Sequence, residues 1–342
     1  MNWSKLQDIK QIMRTLTFGR FSNLLHLYCS FWLTKWNVSK RHKGLPFALS
    51  IEPTTACNLS CPACPSGLKS FSRPTGKIDL AFHEKVIHSL KKSVFYINYY
   101  FQGEPFLHPQ FLRLITTAKA ANIYTATSTN GHFITTEKAK EIVSSGLDRL
   151  IISIDGITQA TYESYRVDGE LAKVIAATKA LVAAKKELRS TTPYLIFQCL
   201  VLKTNEDQIE AITALAKSLG VNDVRFKSAQ FYDFENGNEL MPTTAKYSRY
   251  VRKKDGTYRV KYHGGNHCWR MWSSSVITWD GKVVPCCFDK DALHPMGEIT
   301  NESFETLWKG ETYTQFRQQI LANRNDIDMC TNCSEGAKVW VE

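Results

Sequence analysis

Three cysteines fall within one short run, CNLSCPAC, as Cys57, Cys61 and Cys64. Thiolates are strong ligands for soft and borderline metals, and three on one loop can converge on one centre. A structural zinc site wants a closed shell of four, whereas three thiolates on a four-iron cluster leave one iron open to a further ligand. A second set lies near the other end: Cys268, Cys286, Cys287, Cys330 and Cys333. Four of these can close the shell of another cluster, with zinc as the alternative occupant. Neighbours on a strand point to opposite faces, so Cys286 and Cys287 are not both expected to be ligands. Cys286 fits the G-x4-C count from Gly281, which leaves Cys287 spare or reactive. Cys29 and Cys199 stand alone and read as small buried hydrophobes.

The elements that position these thiols can be read from periodicity. Apolar, β-branched runs at 47–51, 95–101, 124–128, 149–154, 195–202 and 223–226 alternate with helical patterns at 81–91, 109–121, 136–145, 171–188 and 206–219. Such alternation implies right-handed crossovers and a parallel sheet, with chemistry at the C-terminal strand ends. Six units are too few for a closed eight-strand barrel, so the expected fold is α/β, a partial (β/α)6 barrel of TIM type over 46–232. Residues 233–265 read as polar, aromatic loop. Residues 272–279, Asp280-Gly281 and 282–286 read as a hairpin, and 303–321 as one helix. A small C-terminal hairpin and helix unit over 233–342 follows. Residues 1–45 form two amphipathic helices with Lys5, Lys10, Arg14, Arg20, Lys35, Lys40, Arg41 and Lys43 interleaved. They either pack on the main domain or contact a membrane surface.

The 342 residues are 43% apolar and 22% charged, which excludes wholesale disorder and collagen-like structure. A net charge of +11 favours anionic partners without choosing one. No nucleic-acid-binding module accompanies that charge, so no nucleic acid is expected. The first residues lack the apolar core of an export signal, and no apolar run is long enough to cross a membrane. The expectation is a cytoplasmic chain in a reducing compartment, with membrane association through 1–45 as a second reading.

The C-x3-C-x2-C run after the first strand resembles the radical S-adenosylmethionine superfamily. The resemblance covers about residues 48–230. It implies that Cys57, Cys61 and Cys64 hold a [4Fe-4S] cluster whose free iron chelates the cofactor's methionine, and that reductive cleavage yields a 5′-deoxyadenosyl radical. The residue before the third cysteine is commonly aromatic there, and here it is Ala63. Gln102-Gly103-Glu104-Pro105 resembles the GGEP element, with Gln102 in place of the first glycine. Its carbonyls and carboxylate would accept from the methionine ammonium, which has only donors. By the same resemblance Ser128 and Asn130 contact the ribose or carboxylate side, Ser153 and Asp155 face the ribose hydroxyls, and Arg166 pairs with the cofactor carboxylate.

The C-terminal cysteines, in HCWRMWSSSVITWDGKVVPCCFD…CTNC, resemble the SPASM extension in its shortened twitch form. That implies an auxiliary [4Fe-4S] cluster on Cys268, Cys286, Cys330 and Cys333, and a net oxidation or cross-link in which it accepts an electron. The thiol spacing is also similar to that of an aminocyclitol dehydrogenase. Two substrate classes stay open: a peptide or protein, and a small sugar or cyclitol-type metabolite. A flavodoxin or ferredoxin would supply electrons. Phe231–Phe234, Tyr247, Tyr250 and Tyr262 either line a pocket or form core and lid. The alternative class is a non-catalytic iron–sulfur or electron-transfer protein.

Overall fold

The computed structural model describes residues 3–39, 42–261, 265–334 and 340–341. Lys40, Arg41 and Tyr262 lie outside the described residues. Six parallel strands run in sequence order: β1 (Ala48–Ile51), β2 (Tyr96–Asn98), β3 (Tyr124–Thr129), β4 (Arg149–Ser153), β5 (Tyr194–Val201) and β6 (Asp223–Ser228). Helices Leu80–Leu90, Phe111–Ala120, Thr136–Ser144, Leu171–Glu187 and Ile209–Leu219 connect them. Their apolar stripes bury Val86, Leu114, Ile142, Leu181 and Ile212 against Ile97, Leu150 and Phe197 of the strands. The sheet does not close, as the count of six units implied.

Side chains set where the helices start. Asp79 accepts from Phe82 N at 2.8 Å, and Thr135 from Lys138 N at 3.2 Å, so each satisfies an orphan amide of a first turn. The helix expected from 206 begins only at Ile209. Asn205 there closes a turn, accepting from Leu202 N and donating to Asp155 O, while Glu206 accepts from Thr244 N.

The second half departs further from the sequence reading. Residues 233–265 are not all loop: β7 (Tyr250–Arg252) and β8 (Tyr258–Val260) pair as an antiparallel hairpin. Arg270–Ser273 is a helical turn, so the strand expected from 272 starts later, as β9 (Ser274–Ile277). β10 (Lys282–Val284) returns through the turn at Gly281, whose φ of 90° suits glycine, and β11 (Gly297–Glu298) adds to its edge. The helix expected over 303–321 is two helices, Phe304–Lys309 and Glu311–Asn323, broken at Gly310. Glycine costs a helix interior roughly 1 kcal/mol, and Gly310 sits in extended backbone instead.

This second half is not a separate layer. β9 pairs in parallel with β1, and β12 (Trp340–Val341) pairs antiparallel with β6. One ten-stranded sheet therefore carries both cysteine sets.

The two N-terminal helices pack on the six-stranded core. Helices Trp3–Arg14 and Phe18–Lys35 lie across the N-terminal ends of the strands. Asp8 pairs with Arg149 and accepts from Tyr124 OH inside that end. Arg20 is buried and donates to the carbonyls of Thr15, Lys91, Ala121 and Asn122.

Candidate functional site

The first cysteine loop follows β1 directly and sits at the C-terminal end of the sheet. Cys57, Cys61 and Cys64 pack in one cluster with Leu59, Tyr165 and Phe231. They stand within electrostatic reach of one another. Burial pushes the Cys57 thiol up to about 11 and raises Cys61 as well. A bare thiol there resists ionisation, and a bound cation removes that resistance by taking the thiolate.

The loop is stapled in place by the strand ends around it. The Gly103 amide donates to Ser66 Oγ at 2.9 Å, and the Glu104 amide to Ala56 O at 2.8 Å. Gly103 has φ 73°, and a β-carbon there would overlap the carbonyls of Thr54 and Ala56. Gly67 touches the Cys61 backbone as closely. Gln102, where a glycine is usual, accepts from Ser66 Oγ at 3.3 Å and so joins the staple. Pro105 opens a short 3-10 turn capped by Glu104, whose carboxylate accepts from Phe106 N.

Glu104 is buried. It accepts from Thr129 Oγ1 and Asn130 N, both at 2.8 Å. Burial raises its pKa to about 7, against the pull of those donors. Asn130 also donates to Asn58 Oδ1 at 2.8 Å, tying β3 to the cysteine loop. Ser128 is half-buried on β3, and Ser153 is buried at the end of β4.

Asp155 and Arg166 meet each other. Arg166 Nε donates to Asp155 Oδ2 at 2.5 Å, and the other carboxylate oxygen accepts from Leu200 N at 2.6 Å. Both oxygens of Asp155 are thus engaged within the protein, one of them on Arg166. The Arg166 guanidinium reaches Cys61 Sγ at 3.9 Å.

The second set converges too. Cys286 lies near Cys268 and Cys333, and Cys330 near Cys333. The buried Arg324 faces Cys333, Cys268 and Cys330, with two guanidinium nitrogens lacking a hydrogen-bond partner. Cys287 lies beside Cys286 and has Arg270 donating to its sulfur at 3.8 Å. Strand alternation does not separate Cys286 from Cys287, because β10 ends at Val284. The Cys286 thiol hydrogen-bonds Cys287, and Arg270, Lys227 and Lys290 add to the pull that lowers Cys287.

The donors suit iron–sulfur clusters. Two thiol sets are present, each with an arginine beside it to offset the negative charge of a thiolate-bound cluster. Among the described residues no three Cys, His, Asp or Glu converge on a point as a single metal ion requires. A cube of irons takes thiolates that stand further apart.

A cavity of about 350 Å³ opens beside the first loop, lined by Pro65, Tyr232, Phe234, Lys290, Asp328 and Asn332 among others. The aromatic stretch divides here. Tyr232 is exposed on the cavity with Lys290 over its ring at 5.0 Å, whereas Phe231 and Tyr250 are core. Cys199 is buried as expected, but Cys29 is exposed, because it lies on the outward face of helix Phe18–Lys35. The sequence reading missed Asn58, Ser66 and Arg324. Ser66 and Arg324 lie two and six residues from a cysteine ligand candidate, which is the signal that could have flagged them.

A Radical SAM superfamily model matches residues 51–219, and the SPASM iron–sulfur cluster-binding domain matches 268–334. The chain belongs to the radical SAM superfamily and carries a SPASM domain. It uses a [4Fe-4S] cluster with S-adenosylmethionine and auxiliary iron–sulfur binding. The radical SAM chain is 25% identical over 314 residues to a tungsten-containing aldehyde ferredoxin oxidoreductase cofactor-modifying protein of Pyrococcus furiosus, covering 84% of this chain and 86% of that one. It is 25% identical over 257 residues to PqqA peptide cyclase of Gluconobacter oxydans, covering 70% of each. In fold it is similar to Streptococcus suis SuiB bound to its precursor peptide SuiA, with TM-score 0.61, 14% identity, and 90% and 74% of the chains covered. It is similar also to BtrN in complex with AdoMet and 2-DOIA, with TM-score 0.52, 16% identity, and 86% and 95% covered.

Proposed function

We propose that this radical SAM enzyme removes hydrogen from a peptide or protein side chain and completes a net oxidation or cross-link. The observation that carries the reading is the pairing of two thiol sets on one sheet. Cys57, Cys61 and Cys64 would hold the first cluster, and Cys268, Cys286, Cys330 and Cys333 would hold the second. When bound, the cofactors supply a 5′-deoxyadenosyl radical at the first site and an electron acceptor at the second.

The protein's own residues bind, orient and exclude water. Glu104 accepts from the methionine ammonium, and Ser128, Asn130 and Ser153 offer polar contacts to the rest of the cofactor. Arg166, held by Asp155 beside Cys61, would pair with the cofactor carboxylate. Gln102, Gly103 and Pro105 shape the loop that brings Glu104 there. The cavity beside Tyr232 and Lys290 takes the substrate. Two relatives with peptide-directed names or partners, PqqA peptide cyclase and SuiB, support the peptide class. The second reading, a small metabolite, is favoured by the single auxiliary thiol set and the likeness to BtrN with its small ligand 2-DOIA.

The test is anaerobic reconstitution with S-adenosylmethionine and dithionite. 5′-Deoxyadenosine should form and disappear in Cys61→Ala. Iron and sulfide should each reach about eight per chain, from two four-iron clusters. Cys333→Ala should spare cofactor cleavage more than product formation. No cleavage under any reducing condition would favour an electron-transfer protein instead, and about four iron with one zinc would remove the auxiliary cluster.

A further inference from the structure

Helix Phe18–Lys35 is turned the wrong way round for a helix on a water-soluble surface. Its inward face buries Arg20, Ser30 and Thr34 along with Leu27 and Phe31. Its outward face carries Phe18, Phe21, Leu25, Tyr28 and Leu33, with Trp36 one turn on. Positions 18, 21, 25 and 28 repeat at the spacing of one helix face. Phe18 is 89% exposed and Trp36 66%. Of the fourteen large hydrophobics exposed among the described residues, nine lie between Ile9 and Val38. Scattered exposed apolar residues need no explanation, but a contiguous stripe does.

Charge decides what covers it. Between Asp8 and Glu52 the sequence has no acidic residue. Lys10, Arg14, Lys35 and Lys43 are exposed in that stretch, and Lys35 lies over the Trp32 ring at 4.6 Å. Lys91 and Lys92 flank the start of the helix, in the hollow they share with Thr17 and Gly19. An apolar stripe with aromatic residues and a rim in which cations outnumber the one acidic residue of that hollow, Glu84, matches the boundary of an anionic bilayer. A second copy of this chain would set the same cations against one another. No helix among the described residues is long and apolar enough to cross a membrane, so the contact lies in the interface plane.

We propose that helix Phe18–Lys35 docks this protein on an anionic lipid surface. The orientation follows from the packing. Thr15 and Arg20 contact backbone just before β2 and β3, and Phe31 packs on Trp269 and Trp272 just before β9. These are N-terminal strand ends. The first cysteine loop, which follows β1, and the cavity beside Tyr232 lie at the other end, so a docked molecule presents that site to water. This inference does not depend on the peptide reading.

The test is sedimentation of the full protein, clusters loaded, with phosphatidylcholine vesicles containing about one-quarter phosphatidylglycerol. The protein should pellet with them at low salt and be released at high salt. Pure phosphatidylcholine should bind about tenfold less or weaker still. Phe21→Glu with Leu25→Glu should abolish pelleting while iron content and 5′-deoxyadenosine release stay unchanged. Should that variant fold poorly, Lys35→Glu with Lys10→Glu should weaken binding by about tenfold. Equal binding to neutral vesicles overturns the proposal. So does no binding, whether the protein is then monomeric or forms a dimer that the same variants break.

Discussion

Arg166 and Asp155 form one unit: Nε donates to Oδ2 at 2.5 Å, with the carboxylate fully buried and the arginine side chain 16% exposed. Asp155 also accepts from Leu200 N, so it fixes the arginine against β5. Breaking a buried pair on one side leaves the other charge uncompensated, at a cost of about 3–5 kcal/mol. Asp155→Asn should therefore lower unfolding stability by about 3 kcal/mol, read from a denaturant midpoint. It should also weaken S-adenosylmethionine binding, because Arg166 loses its anchor. A variant that keeps native stability and affinity would show that Arg166 is held by other contacts.

Gly103 makes a different demand, on backbone and not on charge. Its φ of 73° and its contact with the Thr54 and Ala56 carbonyls leave no room for a methyl group. Gly103→Ala should cost about 1–3 kcal/mol in local strain and push the cysteine loop off the strand end. Iron content after reconstitution should fall by about half, with only the first cluster lost. The SPASM cysteines should keep their iron, measured by the spectrum of the remaining cluster.

The loop around Gly103 shows what the sequence carried. The three cysteines, the GEP element and the helix–strand alternation were legible because local spacing and strand-end chemistry set them. Glu104 meeting Asn130 was legible in kind, since both ended strands. The hold of Asp155 on Arg166 was not, because resemblance assigns a role and not a partner. The early end of β10 was missed because Val283, Val284 and Cys286 look equally apolar while Pro285 lies between them. The split at Gly310 was available from propensity alone. The outward face of helix Phe18–Lys35 was not: periodicity finds a stripe but does not say which side the barrel occupies.

Glu104 should give cofactor binding a pH dependence. Burial raises its pKa to about 7 from an ordinary 4.5, so the folded protein holds a proton that the unfolded chain has released. The group's contribution to stability is thus full below about 4.5 and is lost as pH rises through about 7. Cofactor binding runs the other way. An ammonium wants the carboxylate, so below about 7 binding has to displace the proton. Affinity for S-adenosylmethionine should rise up to about tenfold per pH unit on approaching 7 and then level off. Glu104→Gln should bind more weakly above 7 and lose that slope. A native profile as flat as the variant's would detach Glu104 from the ammonium.

Arg324 should tune the auxiliary site. It is buried with Cys333, Cys268 and Cys330 as its main thiol neighbours, and two of its nitrogens lack partners. A nearby cation stabilises the reduced, more negative state of a cluster, and hydrogen bonds to sulfur act in the same direction. At an effective dielectric of about 20, one charge at several ångströms is worth a few kcal/mol. Arg324→Gln should then lower the auxiliary potential by on the order of 100 mV. The cluster on Cys57, Cys61 and Cys64 should not shift. If the auxiliary cluster accepts the substrate's electron, product formation should slow while 5′-deoxyadenosine release persists. A redox titration with both clusters resolved reads the first effect, and the ratio of product to 5′-deoxyadenosine reads the second. An unchanged potential with a lowered ratio would place Arg324 in substrate positioning and not in control of the cluster.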